Sequence, residues 1–478
     1  MIMSAPDTHA SLPQWLAYLE NLHHTEIDLG LDRVRDVAQR LGLRYPFTVI
    51  TVGGTNGKGS VCAMLDAILL AGGYKVGTYA SPHLVDFNER IRINGEFATD
   101  DDIVAQFARI EAARGATSLT YFEFATLAAL LLFELNKVDV AVLEVGLGGR
   151  LDAVNIVDSD CAIVTSVDID HSNFLGTTRE QIGLEKAHIF RPGRPAICAD
   201  PQPPASLIEH AAAIDADLWR FGRDFNYTGD RQQWNYRGRS QRRNALAYPA
   251  LRGANQLLNA SAVLAALEAL RDKLVVPQQA VRLGFSHAAL PGRFQILPGQ
   301  PVTILDVAHN PHAAAALAQN LLSMPGGGNT YGVVGMLRDK DAIGTLSHLT
   351  PIVDHWLCAG LSGFRALSAH ELAKVVDQAL RSSARAVATA PAPTGLNGAG
   401  HAAVAGGAHS PSDDRKPGVR PVMPQTSVKT QASIHEFSDP VAAFHAARER
   451  ASVNDRILVF GSFATVGPVL AEVGRTRT

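Results

Sequence analysis

The chain has 478 residues, too many for one hydrophobic core, so two or more domains are expected. Its 46% hydrophobic and 19% charged residues are the mixture of a soluble globular protein, and a formal net charge of −3 offers no basic footprint for nucleic acid. No apolar run approaches the roughly 18–20 residues of a membrane span, and the start, Met1 to Asp7, lacks the basic head and apolar centre of a signal peptide. Cys62, Cys161, Cys198 and Cys358 lie far apart without metal-type spacing, as reduced buried thiols of a cytoplasmic protein would.

The first strong element is the β-branched run Phe47 to Ile50, followed by Thr51-Val52-Gly53-Gly54-Thr55-Asn56-Gly57-Lys58-Gly59-Ser60 and a buried-type helix from Val61 to Leu70. Strand, glycine-rich turn, lysine, hydroxyl and helix is the layout of a phosphate-binding loop. Glycines let backbone N–H groups approach phosphate oxygens, and the helix N-terminus adds partial positive charge. The strict pattern places Gly where Val52 stands and Ser or Thr where Gly59 stands; Ser60 offers the hydroxyl one place later.

Thr120-Tyr121-Phe122-Glu123-Phe124 opens a long apolar helix, with Thr120 and Glu123 spaced as a capping box. Asn136 to Asp139 imitates a guanine-specificity motif but precedes a strand instead of following one, so it is discounted. Val138 to Val145 reads as a strand that delivers Glu144 before Gly146, Gly148 and Gly149. Ligands of open α/β sheets sit beyond the carboxyl ends of strands, so Glu144 is a magnesium-ligand candidate, the alternative being an ion pair with Arg150. Cys161 to Val167 repeats the geometry and delivers Asp168, Asp170 and His171, the last either a metal ligand or a structural histidine. Lys186 sits in a helical stretch and, taken alone, is an exposed helix lysine.

A break at Pro201 to Pro204 leads to a polar, aromatic stretch over 219–250, read as a small antiparallel excursion, and then a helix from Ala260 to Leu270. Leu290-Pro291-Gly292 reads as a hinge. Beyond it the alternation restarts with strands at Val302 to Leu305, Tyr331 to Val334 and Ile457 to Phe460, and Asn310 caps a helix beginning at Pro311. Asp306, at a strand end, is placed to hold a ribose hydroxyl, and Arg293 to reach phosphates. Near-continuous apolar strands imply mostly parallel sheets covered by helices, so the fold class is α/β with domains at 1–292 and 293–478. Pro391 to Pro424 holds six prolines and six glycines in 34 residues and reads as a flexible insertion.

Gly54 to Ser60, Ser81-Pro82-His83-Leu84, Leu119 to Glu123, Glu144 to Asn155, Glu185-Lys186-Ala187 and Asp306 to His312, in that order, resemble the folylpolyglutamate synthases. More narrowly they resemble the bifunctional bacterial dihydrofolate synthase/folylpolyglutamate synthases, relatives of the Mur ligases. Tyr18 to His23, Ile27 to Leu31 and Gly461 to Val466 fit the family's opening and closing segments, and the family carries Gly-Ser where other phosphate loops carry Ser or Thr.

The resemblance implies an N-terminal P-loop ATPase domain and a C-terminal Rossmann-like domain. It implies ATP contacts at Thr55, Asn56, Gly57, Lys58, Gly59, Ser60, Asn259, Arg293, Asp306 and His309, with Asn255 a rival for Asn259. It implies two magnesium ions with ligands at Ser81, Glu144 and His171, and catalytic roles for Lys58, His171 and Lys186, the last as an N6-carboxylysine. A desolvated lysine loses its charge and becomes nucleophilic enough for that modification. The pterin-bearing substrate is expected near Ile27, Asp28 and Leu29, near Thr120, Tyr121, Phe122 and Glu123, and near Leu151, Asp152 and Ala153, with Phe122 and Phe124 packing on the pterin.

The implied activity is ATP-dependent joining of L-glutamate to dihydropteroate and to reduced folates through an acyl phosphate, in a cytoplasmic monomer with small-molecule partners. A monofunctional folylpolyglutamate synthase remains an alternative. A Mur-type ligase for peptidoglycan precursors is disfavoured, because only about 45 residues precede the first strand and leave no room for a UDP-binding domain. A nucleotide-dependent switch would need no acid-and-lysine metal set.

Overall fold

The computed structural model describes residues 5–7, 10–230, 232–325, 328–389 and 432–475; the insertion expected at 391–424 lies outside them. Seventeen strands are described: β1 (Thr48–Gly53), β2 (Val76–Tyr79), β3 (Ile91–Ile93), β4 (Glu96–Phe97), β5 (Val140–Glu144), β6 (Cys161–Val164), β7 (Pro195–Cys198) and β8 (Asp217–Arg220), then β9 (Asn226–Gly229), β10 (Trp234–Arg237), β11 (Arg242–Leu246), β12 (Gln295–Leu297), β13 (Val302–Asp306), β14 (Thr330–Val334), β15 (His355–Ala359), β16 (Ser433–Phe437) and β17 (Arg456–Phe460).

The first sheet has the order β4-β3-β2-β5-β1-β6-β7-β8. β1 lies between β5 and β6, parallel to both. Its central strands β1, β5 and β6 are mostly apolar because both faces are covered. Val49, Ala141, Leu143, Ala162 and Val164 join one core, while Ile50, Val52, Val140, Val142 and Ile163 join the other. That alternation is the two-residue period of a strand read by two helical layers. The expected excursion is the antiparallel sheet β11-β10-β9, with Trp234 and Tyr236 in the second of these cores.

The second sheet has the order β12-β13-β17-β14-β15-β16, with β12 antiparallel and the rest parallel. Asn310 caps the helix Pro311–Ser323, accepting from the Ala313 N–H at 2.9 Å. β6 stops at Val164, short of the expected Val167. Thr165 still donates its N–H to Gly53 of β1 at 2.9 Å, and its hydroxyl donates to the Asn56 carbonyl at 2.7 Å, tying the end of the strand to the glycine loop. The carboxyl ends of β1, β5 and β6 in one sheet and of β13, β14 and β17 in the other meet at one cleft of about 480 Å³. No helix among the described residues is long and apolar enough to cross a membrane.

Candidate active site

The glycine loop leaves β1 in a path that only glycine takes easily. Gly54 has φ 140° and passes so close to Thr165 that a Cβ would sit 1.9 Å from its Oγ1. Gly57, at φ 92°, starts the helix Lys58–Ala71 with no side chain capping its N–H groups. Lys58 curls over the loop, its Nζ donating to the carbonyls of Gly54 (3.1 Å) and Thr55 (3.3 Å). The Thr55 hydroxyl is tied to the Asp168 backbone, and the Asn56 amide exchanges hydrogen bonds with Asn310 of the second sheet at 3.1 and 3.2 Å. Ser60 is buried, its Oγ accepting from Gln256 Nε2.

Glu144 stands at the end of β5, 5% exposed, and accepts from the Ser81 N–H at 3.2 Å. Burial raises its pKa, opposed by the nearby charges of Lys58 and Arg293. A Cβ at Gly59 would lie 3.8 and 3.9 Å from the Glu144 carboxylate oxygens and 3.2 Å from Leu290. A larger residue there would press on Leu290 and come into ordinary contact with this carboxylate. Arg150 pairs with Glu185 at 2.8 Å, so Glu144 is left to the cleft.

His171, in left-handed backbone (φ 51°) at the end of the loop after β6, has its pKa lowered to about 4 by burial and by Lys340. It is a neutral imidazole, the form that ligates metals. Lys186, 4% exposed, lines the same cleft and forms no ion pair among the described residues; burial, with the repulsion of Lys58, lowers its pKa to about 7.

From the other sheet, Asp306 accepts from the N–H groups of Phe294 and Ala308, both at 2.8 Å, which fixes both carboxylate oxygens at the cleft. Arg293 is half-buried between Asp306 and Glu144, its guanidinium 4.9 Å from the Phe463 ring. His309 Nδ1 donates to the Val307 carbonyl, leaving Nε2 facing Asp170 at 3.6 Å. Asn255 and Asn259 both line the cleft, but Asn259 is the one against the loop: a Cβ on Gly57 would meet its Oδ1 at 2.7 Å.

The residues expected around a pterin form a separate cluster that does not line this cavity. Asp28, flanked by half-buried Ile27 and Leu29, pairs with Arg33 at 2.6 Å, and Arg33 reaches Glu123 at 3.2 Å. Thr120 and Glu123 form the capping box of the helix Tyr121–Leu135. Phe122 edges onto Gly146, where a Cβ would lie 2.7 Å from its ring and 3.2 Å from Asp152. Asp152 accepts from the N–H groups of Leu147 and Val154 and so shapes the glycine loop after β5, with Leu151 half-buried and Ala153 buried beside it. Tyr121 turns the other way, its ring under Arg90 at 5.3 Å. The expectation for Phe124 fails: its side chain is wholly buried against Phe107, ring centroids 5.5 Å apart, and serves the core.

Four further residues belong here by position. Asp170 bonds Asn310 Nδ2 at 3.0 Å. Its carboxyl is held far below the usual range: burial opposes ionisation, but the neighbouring His309 imidazole and the Lys340 ammonium outweigh it. Lys340 and Arg365 project into the cleft from loops after β14 and β15. Arg33 keeps a buried Nε with no hydrogen-bond partner. The signal for Lys340 was available: Arg338-Asp339-Lys340-Asp341 is a charged run just past a strand's carboxyl end.

Residues 52–267 match the model of the Mur ligase middle domain, and residues 292–463 that of the Mur ligase glutamate ligase domain. The chain is 48% identical over 373 residues to the Escherichia coli (strain K12) dihydrofolate synthase/folylpolyglutamate synthase, covering 78% of this chain and 87% of that protein. It superposes on E. coli FolC in complex with DHPP and ADP with a TM-score of 0.84 at 41% identity, over 99% of this chain and 100% of that one. A bifunctional folylpolyglutamate synthase/dihydrofolate synthase with Mn, AMPPNP and L-glutamate bound gives 0.82 at 40% identity, over 98% and 100%. On the order of its motifs, its two sheets and these matches, the chain belongs to the dihydrofolate synthase/folylpolyglutamate synthase family of Mur ligases.

Proposed function

We propose that this chain is an ATP-dependent amide ligase that joins L-glutamate to dihydropteroate and to the γ-carboxyl of reduced folates. The observation that carries the reading is one cleft in which an uncapped helix N-terminus, Lys58 and Glu144 face Arg293 and Asp306 of a second sheet. Two α/β domains, 1–292 and 293–478, form its walls.

A carboxylate resists amines because its charge repels them and its oxygen leaves badly. Attack of a substrate carboxylate oxygen on the γ-phosphorus of ATP expels ADP and leaves an acyl phosphate. The α-amine of L-glutamate then attacks the acyl carbon, phosphate departs, and the nitrogen loses its proton. Lys58 and the free N–H groups at Gly57–Ser60 spread charge on the transferred phosphoryl group, and Arg293 reaches it from the facing sheet. Asp306 and His309 hold the ribose end, and Asn259 fixes the loop from behind.

Ser81, Glu144 and His171 suit magnesium: a serine, a buried carboxylate beside a residue without a side chain, and a neutral imidazole. Two ions there supply charge neutralisation of the phosphates. Lys186, partly neutral near pH 7, is poised to add carbon dioxide at Nζ and become a carbamate anion facing that site. The Asp28–Arg33–Glu123 and Phe122–Gly146–Asp152 groups hold the pterin end, and the orphaned Arg33 Nε is a donor awaiting an acceptor there. Closure of the second sheet's loops over the cleft excludes water from the acyl phosphate.

The test is phosphate release from ATP with L-glutamate plus either dihydropteroate or tetrahydrofolate. Release with both supports the dual activity. Release with tetrahydrofolate alone reduces the reading to a monofunctional polyglutamate synthase, and release with neither removes it.

A further inference from the structure

The two charged residues Asp170 and Lys340 come from facing sheets, 170 residues apart in sequence, and meet at 2.6 Å between Lys340 Nζ and Asp170 Oδ1. The side chains of Lys340 and Asp170 are 6% and 9% exposed. The same Nζ stands 3.1 Å from His171 Nε2. An ammonium has only donors, so that contact requires the imidazole to accept through Nε2. This is the lone pair that a divalent cation at His171 would need.

Asp170 also bonds Asn310 at 3.0 Å and lies 3.6 Å from His309 through its other oxygen, so it keeps partners if Lys340 departs. Two cations cannot share a pocket this closed without strong repulsion. We propose that Lys340 is a stand-in cation: it fills the position beside Asp170 and His171 in the metal-free enzyme and must leave when a divalent ion binds there. This rests on the reading of His171 as a metal ligand. Lys340 is thus a positioning residue that holds His171 with Nε2 turned toward this position before the ion arrives, and sets a competition between an internal and an external cation.

The experiment is Mn²⁺ binding to the full chain without nucleotide, read by the loss of the free-ion electron paramagnetic signal. Wild type is compared with K340Q, K340M, K340R and H171A, each first checked for a cooperative melt. K340Q keeps a hydrogen bond to Asp170 without a charge, so it holds the fold if K340M does not. Both neutral variants are expected to bind Mn²⁺ about tenfold tighter than wild type, and K340R to stay near it. A merely structural lysine gives the opposite sign, because its loss loosens the pocket. Unchanged or weaker binding in K340Q, with H171A also weakened, overturns the stand-in while the metal reading survives. Unchanged binding in H171A overturns both.

Discussion

Two helices of the first half begin in opposite ways. Lys58–Ala71 starts at Gly57 with no side chain bonded to its first N–H groups, whereas Tyr121–Leu135 starts at Thr120 with a closed box, its Oγ1 accepting from Glu123 N and Glu123 Oε2 accepting from Thr120 N. Every helix leaves orphan donors at its N-terminus. In the second helix the chain satisfies them itself, so that end is a fixed wall. In the first they are left to the cleft, next to Lys58, and an anion is what completes them. The lesson is that an unsatisfied terminus beside a cation marks where a ligand carries charge, and a satisfied one marks where it is only packed against.

The largest effect that would break this comparison comes from the open end. Lys58→Ala removes the ammonium that lies over the loop and should lower kcat by about three orders of magnitude or more, as loss of transition-state charge stabilisation does. The thermal midpoint should hold, since among the described residues Lys58 Nζ bonds only loop carbonyls. Near-normal turnover in that variant would show that the open terminus is not the phosphate site. Glu144→Gln keeps the shape and the Ser81 contact but removes the charge, and should lower kcat by about two orders of magnitude with Mn²⁺ or Mg²⁺ alike. Isothermal calorimetry should show weaker Mn²⁺ binding in the presence of AMPPNP; unchanged metal affinity would take Glu144 out of the site.

How much of this was legible in the sequence follows from the same physics. β1, β5, β6 and the helix after Gly57 were readable because elements buried on both faces have few polar residues to confuse their pattern. Glu144 and Asp306 were readable because strand ends are where such folds place ligands. Lys340 and Arg365 were not picked out: the charged run Arg338 to Asp341 marks a strand end, but the distant partners that place these side chains, Asp170 for one and Glu26 for the other, do not show in it. Local spacing carries no information about a contact that only the meeting of two sheets creates. Phe124 was misplaced for a related reason. An aromatic residue two places from Phe122 looks alike in sequence, but on a helix it points well round the cylinder, into the core with Phe107.

A third test sharpens the comparison through Lys186, which feels the open terminus from a distance. Its pKa is lowered to about 7, first by burial and then by Lys58. Carbamate formation needs the neutral amine, so in bicarbonate the fraction carrying one added carbon dioxide should rise as pH rises through about 7, read by native mass spectrometry. The sign for stability follows from proton counting. Between about 7 and the ordinary lysine value of 10.5 the unfolded chain binds the proton and the folded chain does not, so this group makes folding more favourable as pH increases across that window. Below 7 both states are protonated and the full penalty of burying an ammonium is present. In K58A the second cause is gone, so the carbamate transition should move to higher pH; the same midpoint in both proteins would mean that the two lysines do not sense each other.

The smallest expected effect belongs to the closed end, and it is the cleanest separation of wall from ligand site. Thr120→Ala removes the Oγ1 acceptor for Glu123 N but leaves the Thr120 N–H bond to Glu123 Oε2. Loss of an N-cap of this kind costs about 1 kcal/mol of stability. It should leave the KM for ATP unchanged, because this terminus is outside the cleft that holds the glycine loop. The KM for the pterin substrate should rise modestly, because Glu123 is held between the cap and Arg33, and a loosened Glu123 no longer steadies the guanidinium that also bonds Asp28. Thr120→Ser, which keeps the acceptor, should restore both stability and the pterin KM. If the alanine variant instead raised the KM for ATP as much as that for pterin, the two helix ends would not be doing separate jobs, and the division between a charged end and a packed end of this site would have to be redrawn.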